Sequence, residues 1–248
     1  MTVQPNDYGV VHTKTRREVV LLNSVGGCSW GRCAFCEYHD TYSRNAQQAR
    51  VSNRRVLDKV SGIYDTLQIV CSASFPEIPM STWYDIREVC RSKGIKKLII
   101  ELHWIWREEQ ARIVEFFDGI EILPIYGVET FDFFMREVCW FKGYGRITPA
   151  ELRKYAWSVN LLIGVKGQTM EKITADVQSA VEAGFGLINL LVFAPNDTTI
   201  ERDNELCEQF YQSELFQNIK DNPQFEIVDG LDRRAPDDIG NVGAGSDY

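Results

Sequence analysis

The feature that most constrains the fold of this 248-residue chain is the alternation of short apolar runs with longer segments of helical spacing. The runs are nearly continuous and rich in β-branched residues, which indicates strands that are covered on both faces. Such strands form a parallel sheet with helices outside it, so we predict an α/β fold. The predicted strands are residues 19–26, 67–73, 96–102, 120–129, 159–165 and 187–194, with a weaker seventh at 225–230.

Capping residues mark two of the intervening helices. Ser81 is placed to cap a helix that ends at Gly94, and Thr169 is placed to cap one that ends at Gly184. An acidic segment, residues 201–216, predicts a further helix before the last strand.

The length of the chain predicts one domain, because a split would leave two small cores. We place its core in residues 19–200. Residues 201–248 then supply the acidic helix, the last strand and a tail.

Composition and charge limit the classes of function. The net charge is −8 and the pI is 5.0, which is unfavourable for binding a long nucleic acid, so we expect a small-molecule substrate. No apolar run approaches about 18 residues, so we expect no membrane span. The N-terminus lacks the pattern of a signal peptide, and we expect a cytoplasmic protein with reduced cysteines.

Three of the seven cysteines are clustered directly after the first predicted strand. Cys28, Cys33 and Cys36 follow the spacing C-x4-C-x2-C within VGGCSWGRCAFCEYHD. In parallel α/β folds, the loops at the carboxyl ends of the strands form the functional face, so a thiol cluster there predicts a metal site. The other four lie in apolar segments, where we expect buried small hydrophobic residues; they are Cys71, Cys90, Cys139 and Cys207.

Three kinds of site fit these thiols. His39 could complete a structural Cys3His zinc site. Cys33 and Cys36 could instead form a thiol redox pair, which leaves Cys28 unexplained. All three thiolates could also hold a 4Fe-4S cluster whose fourth iron stays open for a ligand.

The cysteine loop resembles the cluster motif of radical S-adenosylmethionine (SAM) enzymes. That motif usually reads C-x3-C-x-aromatic-C, and Phe35 occupies its aromatic position, with one extra residue between Cys28 and Cys33. Residues 161–199 resemble the fifth-strand to sixth-strand unit of the family, and residues 125–145 resemble its fourth strand and following helix. The resemblance spans residues 19 to about 200.

This resemblance implies a partial (β/α)6 TIM-like barrel that binds a 4Fe-4S cluster on the three cysteines and SAM on its open iron. An electron donor such as flavodoxin or ferredoxin is implied as well. Phe35 would lie beside the adenine, Ser72 and Ser74 would replace the family's Gly-Gly-Glu contact to the methionine amino group, and Glu129 would accept hydrogen bonds from the ribose. Arg136 or Lys166 could pair with the methionine carboxylate.

Polar residues at the other strand ends are the candidate substrate contacts: Glu101, His103, Asn189, Asn196, Asp197 and Asp229. Among them, Glu101 and Asp229 could bind a guanine-like edge. Two further functions remain open, a glycyl-radical activating enzyme and a zinc-stabilised binding module without a reaction.

Overall fold

The structure is a computed structural model that describes residues 7–12, 15–37 and 43–231. These residues form two compact units. The first contains the described residues up to 31 and from 43 to 124, and the second contains residues 32–37 and 125–231. The single domain inferred from the length stays a prediction, and the C-terminal tail after residue 231 lies outside the described residues.

The first unit carries four strands and three α-helices. In chain order they are β1 (Tyr8–Val11), β2 (Arg17–Leu22), α1 (Ala46–Leu57), β3 (Thr66–Cys71), α2 (Met80–Lys93), β4 (Lys97–Leu102) and α3 (Gln110–Phe116). Short 3-10 segments, Phe75–Glu77 and Trp104–Glu109, follow β3 and β4. Strands β2, β3 and β4 pair in parallel, whereas β1 pairs with β2 in the antiparallel sense.

The second unit repeats the alternation of strands and helices. It contains β5 (Glu121–Glu129, from residue 125 on), a π-helix (Phe134–Cys139), α4 (Pro149–Arg153), β6 (Ser158–Ile163), α5 (Met170–Ala183), β7 (Leu187–Val192), α6 (Asn204–Gln212), α7 (Glu214–Ile219) and β8 (Phe225–Val228). All three strand pairs of this unit, β5–β6, β6–β7 and β7–β8, are parallel.

The predicted α/β fold with parallel strands is confirmed in both units. Each of the seven predicted apolar runs overlaps a strand of the structure, and the strands are largely buried because both of their faces are covered. Strand β1 escaped prediction because four residues that contain a glycine give no readable period.

Two predicted helix starts are corrected by the structure. Helix α2 begins at Met80 with Pro79 in the cap position, so Ser81 lies inside the helix; the carbonyl of Pro79 accepts from Thr82 N at 2.8 Å. The predicted acidic helix is two helices, α6 and α7, because Ser213 is extended and its hydroxyl caps α7 by accepting from Phe216 N.

The other predicted caps are confirmed. Thr169 accepts from Lys172 N and caps α5, and left-handed glycines end α2 and α5 at Gly94 and Gly184. No helix among the described residues is long and apolar enough to cross a membrane.

Candidate functional site

The three clustered cysteines form no disulfide among the described residues, and each is partly exposed. Three thiols within nine residues are a donor set that suits iron or zinc. No group of three metal-ligand side chains is already gathered among the described residues, and His39, the fourth ligand of the zinc alternative, lies outside them. The chemistry of the donor set therefore fits a cluster that is bound by three thiolates.

The four scattered cysteines divide between burial and exposure. Cys71, Cys90 and Cys207 are buried as predicted, and burial raises the pKa of the Cys90 thiol to about 12. The prediction for Cys139 is wrong, because Cys139 is exposed at the end of the π-helix. Its exposure makes it a control residue for the cysteine loop.

In the first unit, Glu77 holds the start of the cysteine loop. Its two carboxylate oxygens accept from Ser29 N at 2.5 Å and from Ser74 N at 2.6 Å. Glu77 and Ser74 also form a capping box on the 3-10 turn after β3. One carboxylate therefore ties the loop after β2 to the end of β3.

Trp30 provides a second contact for this part of the loop. Its indole stacks on the His103 ring, with a centroid separation of 5.3 Å and an interplanar angle of 18°. His103 lies at the end of β4 and is 8% exposed. Its Nδ1 accepts from Ile105 N at 3.3 Å, so the neutral ring carries its proton on Nε2.

The predicted site residues of the first unit lie at or near the carboxyl ends of its parallel strands. Ser72 Oγ lies 3.1 Å from Ser24 Oγ, and Ser74 Oγ accepts from His103 N at 2.9 Å. Glu101 is half-buried within β4 rather than after it. The structure joins Ser74 to His103, and the cofactor and substrate roles of all four residues stay predictions.

In the second unit, main-chain atoms anchor the end of the cysteine loop. Ala34 N donates to Trp140 O at 3.0 Å, and Asn196 Nδ2 donates to Phe35 O at 2.8 Å. Asp197 N donates to Glu37 Oε2 at 3.1 Å. Asn196 and Asp197, which were predicted as substrate contacts, thus contact the loop itself.

The Phe35 side chain packs against other side chains of the second unit, and its predicted contact with the cofactor stays a prediction. Its ring meets Trp140 edge-on at 5.6 Å and packs against the buried cluster that includes Leu162. Lys142 Nζ lies 5.3 Å from the centre of the Phe35 ring, within the range of a cation–π interaction.

Glu129, the predicted ribose contact, is paired with Lys142. Lys142 Nζ donates to Glu129 Oε1 at 2.9 Å. Burial by itself lowers the pKa of Lys142, but the charge of Glu129 outweighs it, so the pKa of Lys142 is raised above its usual value. Sequence reasoning missed Lys142; the one available signal was a single lysine in the aromatic segment CWFKGYG.

The backbone of Glu129 is strained. Its φ is +67°, and the pairing register of β5 with β6 shifts between Gly127 and Glu129. A Cβ on Gly127 would lie 2.5 Å from Glu129 Oε1, so the carboxylate folds back over the glycine. Non-glycine residues persist in this region only where the surrounding structure imposes it, and such positions cluster at functional sites.

Three predicted contacts are engaged by protein groups. The Arg136 guanidinium is buried and donates to Thr130 O, Gly145 O and Glu137 Oε1. Lys166 is exposed and pairs with Glu201. Asp229 accepts from Arg202 at 2.8 Å and from Tyr211 OH at 3.0 Å. These partners account for the side chains structurally, and the predicted roles of Arg136, Lys166 and Asp229 in ligand binding stay predictions.

Asn189 lies in the middle of β7, and its Nδ2 donates to Asn160 Oδ1 at 2.8 Å. Its Oδ1 is buried and has no hydrogen-bond partner among the described residues.

Two surface cavities, of about 470 and 360 Å³, lie along α2 and α1 and are lined by none of the predicted site residues.

No protein-family model matches the chain, and no curated protein matches it. Among solved structures, queuine lyase from Clostridium spiroforme bound to SAM and queuine is 31% identical with a TM-score of 0.86; the match covers 91% of this chain and 96% of that one. Streptococcus suis SuiB is 15% identical with a TM-score of 0.57, over 85% of this chain and 49% of that one. SuiB bound to S-adenosylmethionine is 17% identical with a TM-score of 0.56, over 85% and 50%.

The SuiB similarities show the fold alone, whereas the first similarity shows the family. The chain is an enzyme of the radical SAM family, as its cysteine loop predicts. Within that class it belongs to the family of queuine lyase, to which it is similar over almost its whole length. The cysteine spacing of this short chain already resembles that of queuine lyase in the sequence, and the similarity to the solved structure agrees with that resemblance.

Proposed function

We propose that this enzyme holds a 4Fe-4S cluster on Cys28, Cys33 and Cys36, binds SAM, and cleaves queuine to a 7-deazaguanine base. The observation that carries the proposal is the similarity to queuine lyase over 91% of this chain at 31% identity. The donor chemistry of the cysteine loop agrees with it. A reducing protein such as flavodoxin or ferredoxin would supply the electron.

A cluster held by Cys28, Cys33 and Cys36 would pass one electron from the reducing protein to SAM. The C5'–S bond of SAM would then break to give methionine and a 5'-deoxyadenosyl radical, which would take a hydrogen atom from the substrate. The residues of this chain bind, orient and shield the reactants. Glu129 accepts from the ribose hydroxyls, and Lys142 keeps its carboxylate in place. Phe35 packs beside the adenine, and Ser72 and Ser74 accept from the methionine ammonium.

One preparation tests the proposal. The protein is purified anaerobically and reconstituted with iron and sulfide, and its visible and electron paramagnetic resonance spectra are recorded with and without SAM. We expect about four irons per chain and a spectrum that SAM perturbs. With reductant and queuine, chromatography should show 5'-deoxyadenosine and a released 7-deazaguanine base.

Cysteine variants provide the matched comparison. Cys28→Ala, Cys33→Ala and Cys36→Ala should each abolish 5'-deoxyadenosine formation, whereas Cys139→Ala should keep it because Cys139 is exposed outside the loop. Stoichiometric zinc without iron would instead indicate a structural zinc site. Active SAM cleavage without release of a base from queuine would leave the radical chemistry standing and remove queuine as the substrate.

A further inference from the structure

Lys142 is a buried cation beside the end of the cysteine loop. The residue is 8% exposed, and its Nζ lies 5.3 Å from the centre of the Phe35 ring. Phe35 directly precedes Cys36 and follows Cys33 by two positions. The ammonium therefore lies in the neighbourhood of two of the three cysteines that are proposed to hold the cluster.

The main chain keeps Lys142 at this place. Two residues before it, Trp140 O accepts from Ala34 N of the cysteine loop at 3.0 Å. Phe141, directly before Lys142, has a left-handed backbone with a φ of +53°, and the only other non-glycine residue with a positive φ among the described residues is Glu129. Backbone strain of this kind clusters at functional sites, and here it occurs at or next to both members of one ion pair.

The carboxylate of this ion pair lies nearer to β5 than the ammonium does. A Cβ on Gly127 would lie 2.5 Å from Glu129 Oε1 and 3.4 Å from Lys142 Nζ. The ammonium donates to that oxygen at 2.9 Å and also reaches the Phe35 ring. Lys142 is therefore the charge of the pair that contacts the cysteine loop.

The charges of Lys142 and Cys33 interact. Burial lowers the pKa of Lys142, but the charges of Glu129 and of a Cys33 thiolate raise it, and the net result is a pKa above the usual value. Lys142 is therefore an ammonium at neutral pH. Because the side chain is buried, solvent and salt screen its charge less than they screen a surface charge.

Reduction of an iron-sulfur cluster adds one negative charge to it. One electron leaves the reducing protein and enters the cluster, and no bond forms or breaks. A nearby positive charge stabilises the reduced cluster more than the oxidised one, and this raises the reduction potential. A nearby negative charge has the opposite effect.

We propose that the ammonium of Lys142 raises the reduction potential of the cluster and so favours transfer of the electron from the reducing protein. Lys142 acts on the cluster through its charge and is not a ligand of the iron. The inference rests on the proposed cluster, and it goes beyond the role of Lys142 in holding Glu129.

The midpoint potential of the cluster tests the inference. The reconstituted enzyme without SAM is titrated anaerobically with dithionite and redox mediators, and the electron paramagnetic resonance signal of the reduced cluster is recorded at each potential. Lys142→Met leaves the Glu129 carboxylate uncompensated, so at a fixed potential the ratio of reduced to oxidised cluster should fall about 5- to 50-fold. For a one-electron couple this is a midpoint potential about 40–100 mV lower.

Glu129→Gln should move the potential in the opposite direction. The variant keeps the size of the side chain and the ammonium of Lys142 but removes the negative charge. At a fixed potential the ratio of reduced to oxidised cluster should therefore rise about 3- to 30-fold. Lys142→Met combined with Glu129→Gln removes both charges, and its midpoint potential should lie between those of the two single variants.

Lys172→Met is the matched control. Lys172 pairs with Asp132 in the same unit, and the two side chains are 41% and 26% exposed. The same substitution at an ion pair that solvent screens should leave the ratio of reduced to oxidised cluster within about twofold of the parent enzyme.

Opposite shifts in Lys142→Met and Glu129→Gln support the inference, because a general loss of packing would expose the cluster in both variants and move both potentials the same way. Unchanged potentials, or shifts in one direction, overturn it. If Lys142→Met does not fold or takes up no cluster, Glu129→Gln decides, and a potential that does not rise there overturns the inference.

Failure of this inference is distinct from failure of the proposed function. If the parent enzyme holds four irons and cleaves SAM while the potentials of the variants equal that of the parent, only the role of Lys142 is refuted. If the parent takes up no iron, the proposed cluster is refuted and the inference with it.

Discussion

Lys142 Nζ donates a 2.9 Å hydrogen bond to Glu129 Oε1, and the two side chains are only 10% and 8% exposed. The pair holds a residue whose backbone is left-handed, a conformation that costs about 1–3 kcal/mol. Removing one partner of a buried ion pair leaves the other charge uncompensated. Lys142 therefore stabilises the end of β5 and also fixes the position of Glu129, the predicted ribose contact.

Replacing Lys142 tests the first of these effects. We expect Lys142→Met to lower the free energy of unfolding by about 3–5 kcal/mol, and Lys142→Met combined with Glu129→Gln to recover part of that loss. Urea unfolding measures both. Lys166→Met, which removes a lysine from an exposed pair with Glu201, should change stability little. Equal losses of unfolding free energy in Lys142→Met and Lys166→Met would contradict the view that burial makes the Lys142–Glu129 pair important for stability.

Gly127 tests the position of the same carboxylate without changing a charge. In Gly127→Ala the new Cβ would lie 2.5 Å from Glu129 Oε1, so the carboxylate must move. We expect a stability loss of about 1–3 kcal/mol together with weaker SAM binding, measured by calorimetry on the reconstituted enzyme. Gly230→Ala is the control, because nothing lies within 4 Å of a Cβ there. Unchanged SAM affinity in Gly127→Ala would separate Glu129 from cofactor binding.

The stack of Trp30 on His103 predicts how firmly the cysteine loop retains its cluster. An aromatic pair contributes about 0.5–1.5 kcal/mol, so Trp30→Ala should speed the loss of the visible cluster absorbance to a chelator about 2- to 10-fold. Trp30→Phe should keep most of the retention. His103→Phe should resemble the parent and His103→Asn should not, because only the former keeps a ring.

A neighbouring tryptophan supplies the control for this measurement. The Trp104 ring lies under the Arg107 guanidinium at 4.8 Å, on the segment that follows His103. Trp104→Ala should therefore leave the rate of cluster loss near that of the parent. If Trp104→Ala and Trp30→Ala speed cluster loss equally, the rate depends on a general loss of packing in this region and not on the stack of Trp30 on His103.

Asp176 predicts a pH dependence of stability. Burial raises the pKa of its carboxyl to about 6, although Thr130 Oγ1 and Phe131 N donate to it. The carboxyl of Asp176 therefore binds its proton more tightly in the folded chain than in the unfolded chain. Its contribution to the free energy of unfolding falls as pH rises from about 4 to about 6 and is constant above about pH 6. The lost contribution is about 3 kcal/mol.

Asp176→Asn removes this titration. The difference in unfolding free energy, variant minus parent, should increase from pH 4 to pH 6 and level off by pH 7, as urea unfolding at each pH would show. A difference that stays constant over this range would mean that the carboxyl titrates alike in the folded and unfolded chains.

The strands could be predicted from the sequence because two covered faces require continuous apolar runs, and all seven predicted runs overlap strands. Boundaries were less predictable where a local interaction competes with the pattern. Pro79 displaced Ser81 from the cap of α2, and Ser213 divided an acidic segment that has helical propensity throughout. Neither effect follows from hydrophobic period.

The candidate site was readable only where a motif marks it. The cysteine spacing and Phe35 indicated the family, but Lys142 carries no local signal, since a single charged residue in an aromatic segment has no period. Its importance depends on its contact with Glu129 of β5, and that contact exists only in the folded chain. Cys139 shows the opposite error. It lies in an apolar segment and was predicted to be buried, but its thiol is exposed.

The end of the cysteine loop is held through main-chain atoms of Ala34 and Phe35, in addition to the packing of the Phe35 ring. A main-chain anchor is indifferent to the identity of the residue that provides it, provided the backbone conformation is kept. Selection can therefore exchange the side chain of Ala34 without losing the hydrogen bond that anchors its main chain. Divergence of substrate preference within such a lineage would then proceed by altering loop and strand side chains while the iron ligands remain in place.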